Sequence, residues 1–394
     1  MSGAVPVIMY HSVGRVLDDW AWNNLTTPVE VFEDHLQALA RAGYRTATLA
    51  EFGAHVDGTR ALEGKRVVLT FDDGYLDNWS HAAPLLERYG FTGTVLVTVE
   101  FVDPSGAVRP RREAGNSGES LDVRAFMSWE ELRRVAASGI LDVQSHAMTH
   151  TWYPVSDEVV DFHHPGDDFY WLDWNAFPAS KPDYLKHLGH SRVPYGVPVY
   201  AHEKSLKCRR FFPDPAEADH MASWVGSQGG DGFFARAGWR DSARAELVRF
   251  RNGRTGAGRM ESDSERATRL EWELTESKRI IAAQVGREVS YLVWPGGGYD
   301  DVSLAIARRH YRATTVSSAE RWRHRNQPGE NPGMIVRRGA PSLEIAGRSV
   351  AAPGAYLVDV LDEFRGSRFA RRRRQARKLA LLAAARARLW PRQP

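Results

Sequence analysis

The chain has 394 residues, 43% hydrophobic and 26% charged, which is ample for a large core built as one domain with insertions or as two domains. A single cysteine, Cys208, excludes an intrachain disulfide and leans toward a reducing compartment. The net charge of +3 hides an asymmetry: residues 368–394 hold ten Lys or Arg and no acid, so the rest carries −7, which argues against a nucleic-acid partner for the body.

Strand-like apolar runs recur at Val5–Tyr10, Tyr44–Leu49, Val67–Phe71, Thr94–Val99, Ile140–Gln144, Tyr291–Trp294, Tyr311–Val316 and Met334–Arg337. Helical patterns fall between most of them. Thr27, Pro28 and Glu30 predict an N-cap, a first-turn proline and a capping-box acid before a helix over Val31–Ala42. Ser128 and Glu131 repeat the device before a helix that Gly139 ends, and helices over Asn78–Tyr89 and Thr268–Val285 end at Gly90 and Gly286. Alternating strand and helix means parallel strands joined by right-handed crossovers. Seven or eight such units favour closure into a barrel over an open doubly wound sheet.

Two signals carry chemistry. Val67-Val68-Leu69-Thr70-Phe71-Asp72-Asp73-Gly74-Tyr75 reads as a buried strand that delivers two adjacent carboxylates into a glycine turn. Ser145-His146-Ala147-Met148-Thr149-His150 follows another apolar run and supplies two imidazoles. Each alone is weak, since Asp-Gly is most often a plain turn and His-x-x-x-His pairs arise by chance. Together, at strand ends of one alternating chain, they offer two histidines and a carboxylate for a divalent metal, with a second carboxylate free as a base. Parallel α/β barrels build their active sites at this C-terminal face.

These two motifs resemble the first two motifs of the polysaccharide deacetylases (carbohydrate esterase family 4, the NodB-homology fold). Pro6-Val7-Ile8-Met9-Tyr10-His11-Ser12 and Val31–Leu49 resemble the opening elements of the branch that contains the poly-N-acetylglucosamine deacetylases. Leu292-Val293-Trp294-Pro295-Gly296-Gly297-Gly298-Tyr299, after Glu276-Ser277-Lys278, resembles the third motif. The resemblance covers residues 5–150 and 268–345. It implies a distorted (β/α)7-type barrel, here in two parts (1–150 and 268–365); outside it, the residues themselves read as a long insertion (151–267) and a basic C-terminal helix (366–394).

The resemblance also implies roles. Asp73, His146 and His150 would hold the metal, with Zn2+ expected first and Co2+, Ni2+ or Fe2+ also suited to such ligands. Asp72 would be the base. The backbone N–H of Gly296 would hold the oxyanion, and Arg338 would support Asp72, with Arg337 the alternative if the register slips by one. Tyr75, Trp294, Pro295 and Tyr299 are expected at the substrate. Arg192 and Tyr195, in a stretch that superficially copies the third motif, are further substrate candidates. The family's late Leu-x-His acid has no counterpart in 334–350, which leaves Asp72 or His163, His164, His190 and His202 of the insertion as proton donors.

The insertion is dense in aromatics, suited either to stacking on sugar rings or to a satellite core beneath a long loop. The tail reads as a basic amphipathic helix with Leu379, Leu381, Leu382, Leu389 and Trp390 on its apolar side, a pattern for an anionic membrane surface. With no secretory signal visible at the N-terminus, the expected place is the cytoplasm or the inner face of the membrane. The expected function is metal-dependent N-deacetylation of an amino sugar in a cell-surface glycan or its lipid-linked precursor. The alternative is a catalytically silent glycan-binding or scaffold barrel.

Overall fold

A ring of parallel strands organises the chain, as seen in a computed structural model that describes residues 3–389 apart from 114–120, 122, 253, 255, 257, 317–323, 331–332 and 346. In chain order the strands used below are β1 (Val7–Tyr10), β2 (Tyr44–Thr46), β3 (Lys65–Asp73), β4 (Gly93–Val97), β5 (Leu141–Ser145), β6 (Trp152–Phe162), β7 (Pro198–Lys204), β8 (Tyr291–Leu292), β9 (Ala313–Thr315), β10 (Met334–Ile335) and β11 (Arg337–Gly339). The main sheet runs β10-β9-β8-β5-β4-β3-β1-β11, with β2 added at the start of β3.

The two ends of that path are halves of one strand. β10 pairs with β9, then Val336 intervenes, and β11 pairs with β1. The late strand expected over Met334–Arg337 therefore splits its hydrogen bonds between both edges and closes a seven-position barrel. The gap at the split is filled by Asn326, which is buried. Its amide Nδ2 donates to the carbonyls of Val5 and Val336, and its Oδ1 accepts from the Val336 N–H. Edge groups that would otherwise lie buried without partners are satisfied by this one side chain.

The local signals act as their chemistry dictates, with two shifts. Ser128 and Glu131 form the reciprocal capping box, and Gly90, Gly139 and Gly286 take the left-handed conformation that ends their helices. Thr27 does not cap: it pairs in a short strand (Thr26–Pro28), and the first helix (Val29–Arg41) starts without a side-chain cap. The helix expected from Thr268 begins at Asp263, where Ser262 and Glu265 supply a second capping box, so the expected boundary at 267 falls inside it. The barrel core is aliphatic and aromatic, with Phe32, Leu69, Phe71, Val95, Val143 and Leu292 all fully buried.

The insertion leaves the barrel as a long antiparallel hairpin, β6 with β7, in which Trp152 pairs with Lys204. Two aromatic clusters accompany it. One gathers Trp20, Tyr75, Phe101, Phe126 and Trp174 beside the barrel mouth, and the other gathers Phe162, Met221, Val225 and Phe233 further out. The basic tail is a helix, Arg368–Leu389, packed on the helix Gly354–Phe364 through ion pairs of Arg373 and Arg377 with Asp359 and of Arg374 with Glu363. Trp390 and the side chain of Leu389 lie outside the described residues. Among the described residues no helix is long and apolar enough to cross a membrane.

Candidate active site

β3 and β5 end side by side at the barrel mouth, each two positions or fewer from a ligand candidate. Asp73 ends β3 with φ +72°, followed by Gly74 at +81°; Ala147 and His150 also have positive φ. Three of the four described non-glycine residues with left-handed backbone are therefore in these two turns. Such strain persists only where the surroundings hold it, and it concentrates at functional sites.

The strain brings three donors together. Asp73 Oδ1 lies 3.3 Å from His146 Nε2 and 3.4 Å from His150 Nε2. The three ligand atoms all fall within 4.8 Å of one another. His146 Nδ1 sits 2.8 Å from the Val293 carbonyl, so it carries the proton and leaves Nε2 as a bare lone pair. Asp73 Oδ1 is buried yet has no hydrogen-bond partner, an orphaned atom that a cation would satisfy. Burial pushes the His150 imidazole down to about 4, which keeps it neutral, as a ligand must be. Two imidazoles and one carboxylate, with space in front, fit a divalent metal of the zinc type.

Asp72 faces the other way into the same cavity. Arg337 grips it as a fork, Nη1 to Oδ1 at 2.6 Å and Nη2 to Oδ2 at 2.8 Å. Burial alone would raise this carboxyl, but the Arg337 guanidinium, with His146 and His11 nearby, more than reverses that and holds it below the usual carboxylate range. The arginine beside Asp72 is thus Arg337 and not Arg338. Neighbouring residues on a strand point to opposite faces, so Arg338 turns outward, its guanidinium 5.3 Å from the Phe364 ring.

A cavity of about 490 Å³ holds these groups. His11, Asp72, Asp73, His146, His150 and Arg337 are polar walls, and Trp22, Trp152, Tyr170, Trp174 and Tyr184 are aromatic ones. Tyr75, Trp294 and Gly296 line it as well. Pro295 and Tyr299, also expected at the substrate, are not among its walls: Pro295 is buried, and Tyr299 stacks on the Trp294 ring at 5.2 Å. The aromatics of the insertion thus both pack together and face the cavity.

Two expected substrate contacts are elsewhere. Arg192 lies over the Phe177 ring, and Tyr195 lines an adjoining cavity with His163, His164 and His190, which meets the first at Trp20, Tyr170 and Tyr184. The sequence around them copies a motif, but the hairpin carries it away from the barrel mouth. None of the four insertion histidines lines the cavity that holds Asp73, His146 and His150; His202 packs on Trp171 instead.

Three groups at or beside the cavity were not singled out from the sequence. His11, one residue past β1, reaches into the cavity with Nε2 3.9 Å from Asp72 Oδ2. Its place after an apolar strand was the available signal. Lys181, a buried lysine of the insertion, donates to the Thr149 carbonyl at 2.7 Å and pairs with Glu100 at 2.5 Å, bracing the loop that carries His150. Lys204, at the end of β7, also lines the cavity.

The fold and site define a parallel α/β barrel whose mouth carries a candidate metal centre beside an ionised carboxylate. Residues 59–162 match the model of the polysaccharide deacetylase family, and over this stretch the chain is similar to that family. It is 29% identical over 146 residues to a putative polysaccharide deacetylase, YxkH, of Bacillus subtilis, covering 37% of this chain and 43% of that one. It is 26% identical over 145 residues to the poly-beta-1,6-N-acetyl-D-glucosamine N-deacetylase of Escherichia coli K12, covering 37% of this chain and 20% of that one. The chain thus spans less than half the length of either relative. Among solved structures it is similar to IcaB from Ammonifex degensii, with a TM-score of 0.49 and 17% identity over 92% of this chain and 97% of that one.

Proposed function

We propose that this protein is a metal-dependent deacetylase that hydrolyses the N-acetyl group of an amino sugar in a cell-surface glycan or its lipid-linked precursor. The observation that carries the reading is the meeting of Asp73, His146 and His150 within 4.8 Å, with Asp72 and its arginine in the same cavity. Asp73, His146 and His150 would hold the metal, zinc or a similar ion. Such an ion acidifies a bound water and polarises an acyl oxygen.

The chain's own residues then have separate tasks. Asp72, kept ionised by Arg337, takes the proton from the attacking water. His11, beside Asp72 at the end of the adjoining strand, donates a proton to the leaving nitrogen as the C–N bond breaks. The aromatic walls suit the apolar C–H faces of a sugar ring and exclude water from the reacting groups.

The test is acetate release from N-acetylglucosamine oligomers by the metal-loaded chain. Release that a chelator abolishes and added metal restores supports the reading. A metal-loaded chain that frees no acetate from any N-acetylated sugar, or an Asp72→Asn variant that keeps full activity, refutes it.

The tail is proposed to hold the protein at an anionic membrane surface on the cytoplasmic side. Phe369 and Leu379 are largely exposed on a helix that also presents Arg371 and Arg372 to solvent. Deleting residues 368–394 should abolish sedimentation with anionic vesicles; unchanged sedimentation would end the idea.

A further inference from the structure

The third motif departs from bulk: Gly296, Gly297 and Gly298 stand where the chain passes the metal pocket. The structure shows what uses the space. Lys204 lies across this run. A Cβ on Gly296 would stand 2.7 Å from Lys204 Cε and 3.7 Å from its Nζ, and a Cβ on Gly298 would stand 2.5 Å from Cδ and 2.7 Å from Cβ. Real Cβ atoms do not approach that closely, so the glycines are the bed on which the lysine stem rests.

The hairpin explains how an insertion residue arrives there. β6 begins at Trp152, two residues after His150, and its ring is 5.9 Å from the His150 ring. β7 returns antiparallel and ends at Lys204, directly opposite Trp152. The strand that leaves the metal turn thus brings its partner back to the same turn. Glu203, its chain neighbour, is engaged by Lys207, and Asp72, in the same cavity, is engaged by Arg337. No hydrogen bond or ion pair ties down the Lys204 ammonium among the described residues, and the side chain is half-buried in the cavity wall.

We infer that Lys204 is a catalytic residue of the deacetylation: its ammonium faces the acyl oxygen at Gly296 and stabilises the negative charge that develops there as water adds. A cation in a cavity shielded by aromatic walls acts on that charge far more strongly than it would in water. The lysine therefore supplies from the insertion what a bulkier third motif would leave no room for. This inference rests on the deacetylase reading.

The experiment uses the full chain loaded with zinc and two substrates, N-acetylglucosamine oligomers and 4-nitrophenyl acetate. The ester's leaving group departs without a proton, so it reports the oxygen's charge and not protonation of the amine. Lys204→Met should lower kcat about 10²-fold on both substrates, with KM and bound zinc little changed. Lys204→Arg should recover part of the loss. Gly298→Ala is the second probe: its backbone is ordinary (φ −87°), but the new methyl displaces the lysine stem. It should lose activity by a similar factor, and the double variant should be no worse than Lys204→Met alone. Wild-type rates in Lys204→Met, or loss on the amide with the ester unaffected, would overturn the assignment; the latter result would make the lysine a proton donor. A zinc-loaded wild type that frees no acetate takes down the deacetylase reading itself, whereas an active wild type with an equally active Lys204→Met takes down this inference alone.

Discussion

Replacing Arg337 by Met separates two adjacent arginines that the sequence could not tell apart. Arg337 makes two charge-assisted hydrogen bonds to Asp72, whose side chain is only 3% exposed. Removing one partner of a buried pair leaves an uncompensated charge and costs about 3–5 kcal/mol. The carboxyl relieves that cost by taking up a proton, so it titrates higher in the variant. The sign follows: a depressed carboxyl is functional above its folded value, and raising that value moves the acid limb of the pH–activity profile to higher pH. At neutral pH a misplaced or protonated base should lower kcat/KM about 10²-fold. Arg338→Met removes a guanidinium that lies over Phe364 on the outer face, a contact worth roughly 0.5–1 kcal/mol, and should leave both rate and profile close to wild type. Acetate release measured from pH 5 to 9, with urea unfolding of both variants alongside, decides the matter. Should Arg338→Met be the variant that loses activity, or should Arg337→Met keep an unshifted profile, the assignment of inward and outward faces on β11 is wrong.

Other consequences are open to direct measurement. His150→Ala removes one of the three proposed ligands and should abolish stoichiometric zinc in the purified protein by elemental analysis, with acetate release falling to background; retained zinc would contradict the proposed ligand set. Asn326→Ala breaks three buried side-chain hydrogen bonds at the barrel seam and should cost about 3 kcal/mol, seen as a lower urea midpoint at unchanged m value; a loss under 1 kcal/mol would mean that another group closes the seam. Burial raises the Cys208 thiol to about 11, so maleimide labelling at pH 7.5 should be slow in the folded protein and fast in urea, and rapid native labelling would contradict its packing.

Much of the architecture was legible because it depends on local chemistry. Apolar runs of strand length, glycines after helices and Ser-x-x-Glu caps each act within a few residues, and they located the barrel strands at which Asp72, Asp73 and His146 stand. Other features had no local signal. Barrel strands are buried on both faces, so hydrophobic alternation does not reveal which of Arg337 and Arg338 points inward. The motif-like stretch around Arg192 and Tyr195 looks right in one dimension, but the β6–β7 hairpin carries it to another cavity. Thr27 carries a capping signature, yet strand pairing with Ser12–Gly14 claims its backbone.

The amino-acid order by itself determined that this protein would be an alternating α/β chain with a carboxylate pair and a histidine pair at strand ends, since those properties follow from short-range periodicity and turn chemistry. Tertiary structure alone decided which groups share the cavity. His11, Lys204 and Arg337 are separated by more than a hundred residues from one another, and they meet because a closed barrel and a returning hairpin bring distant strand ends to one mouth.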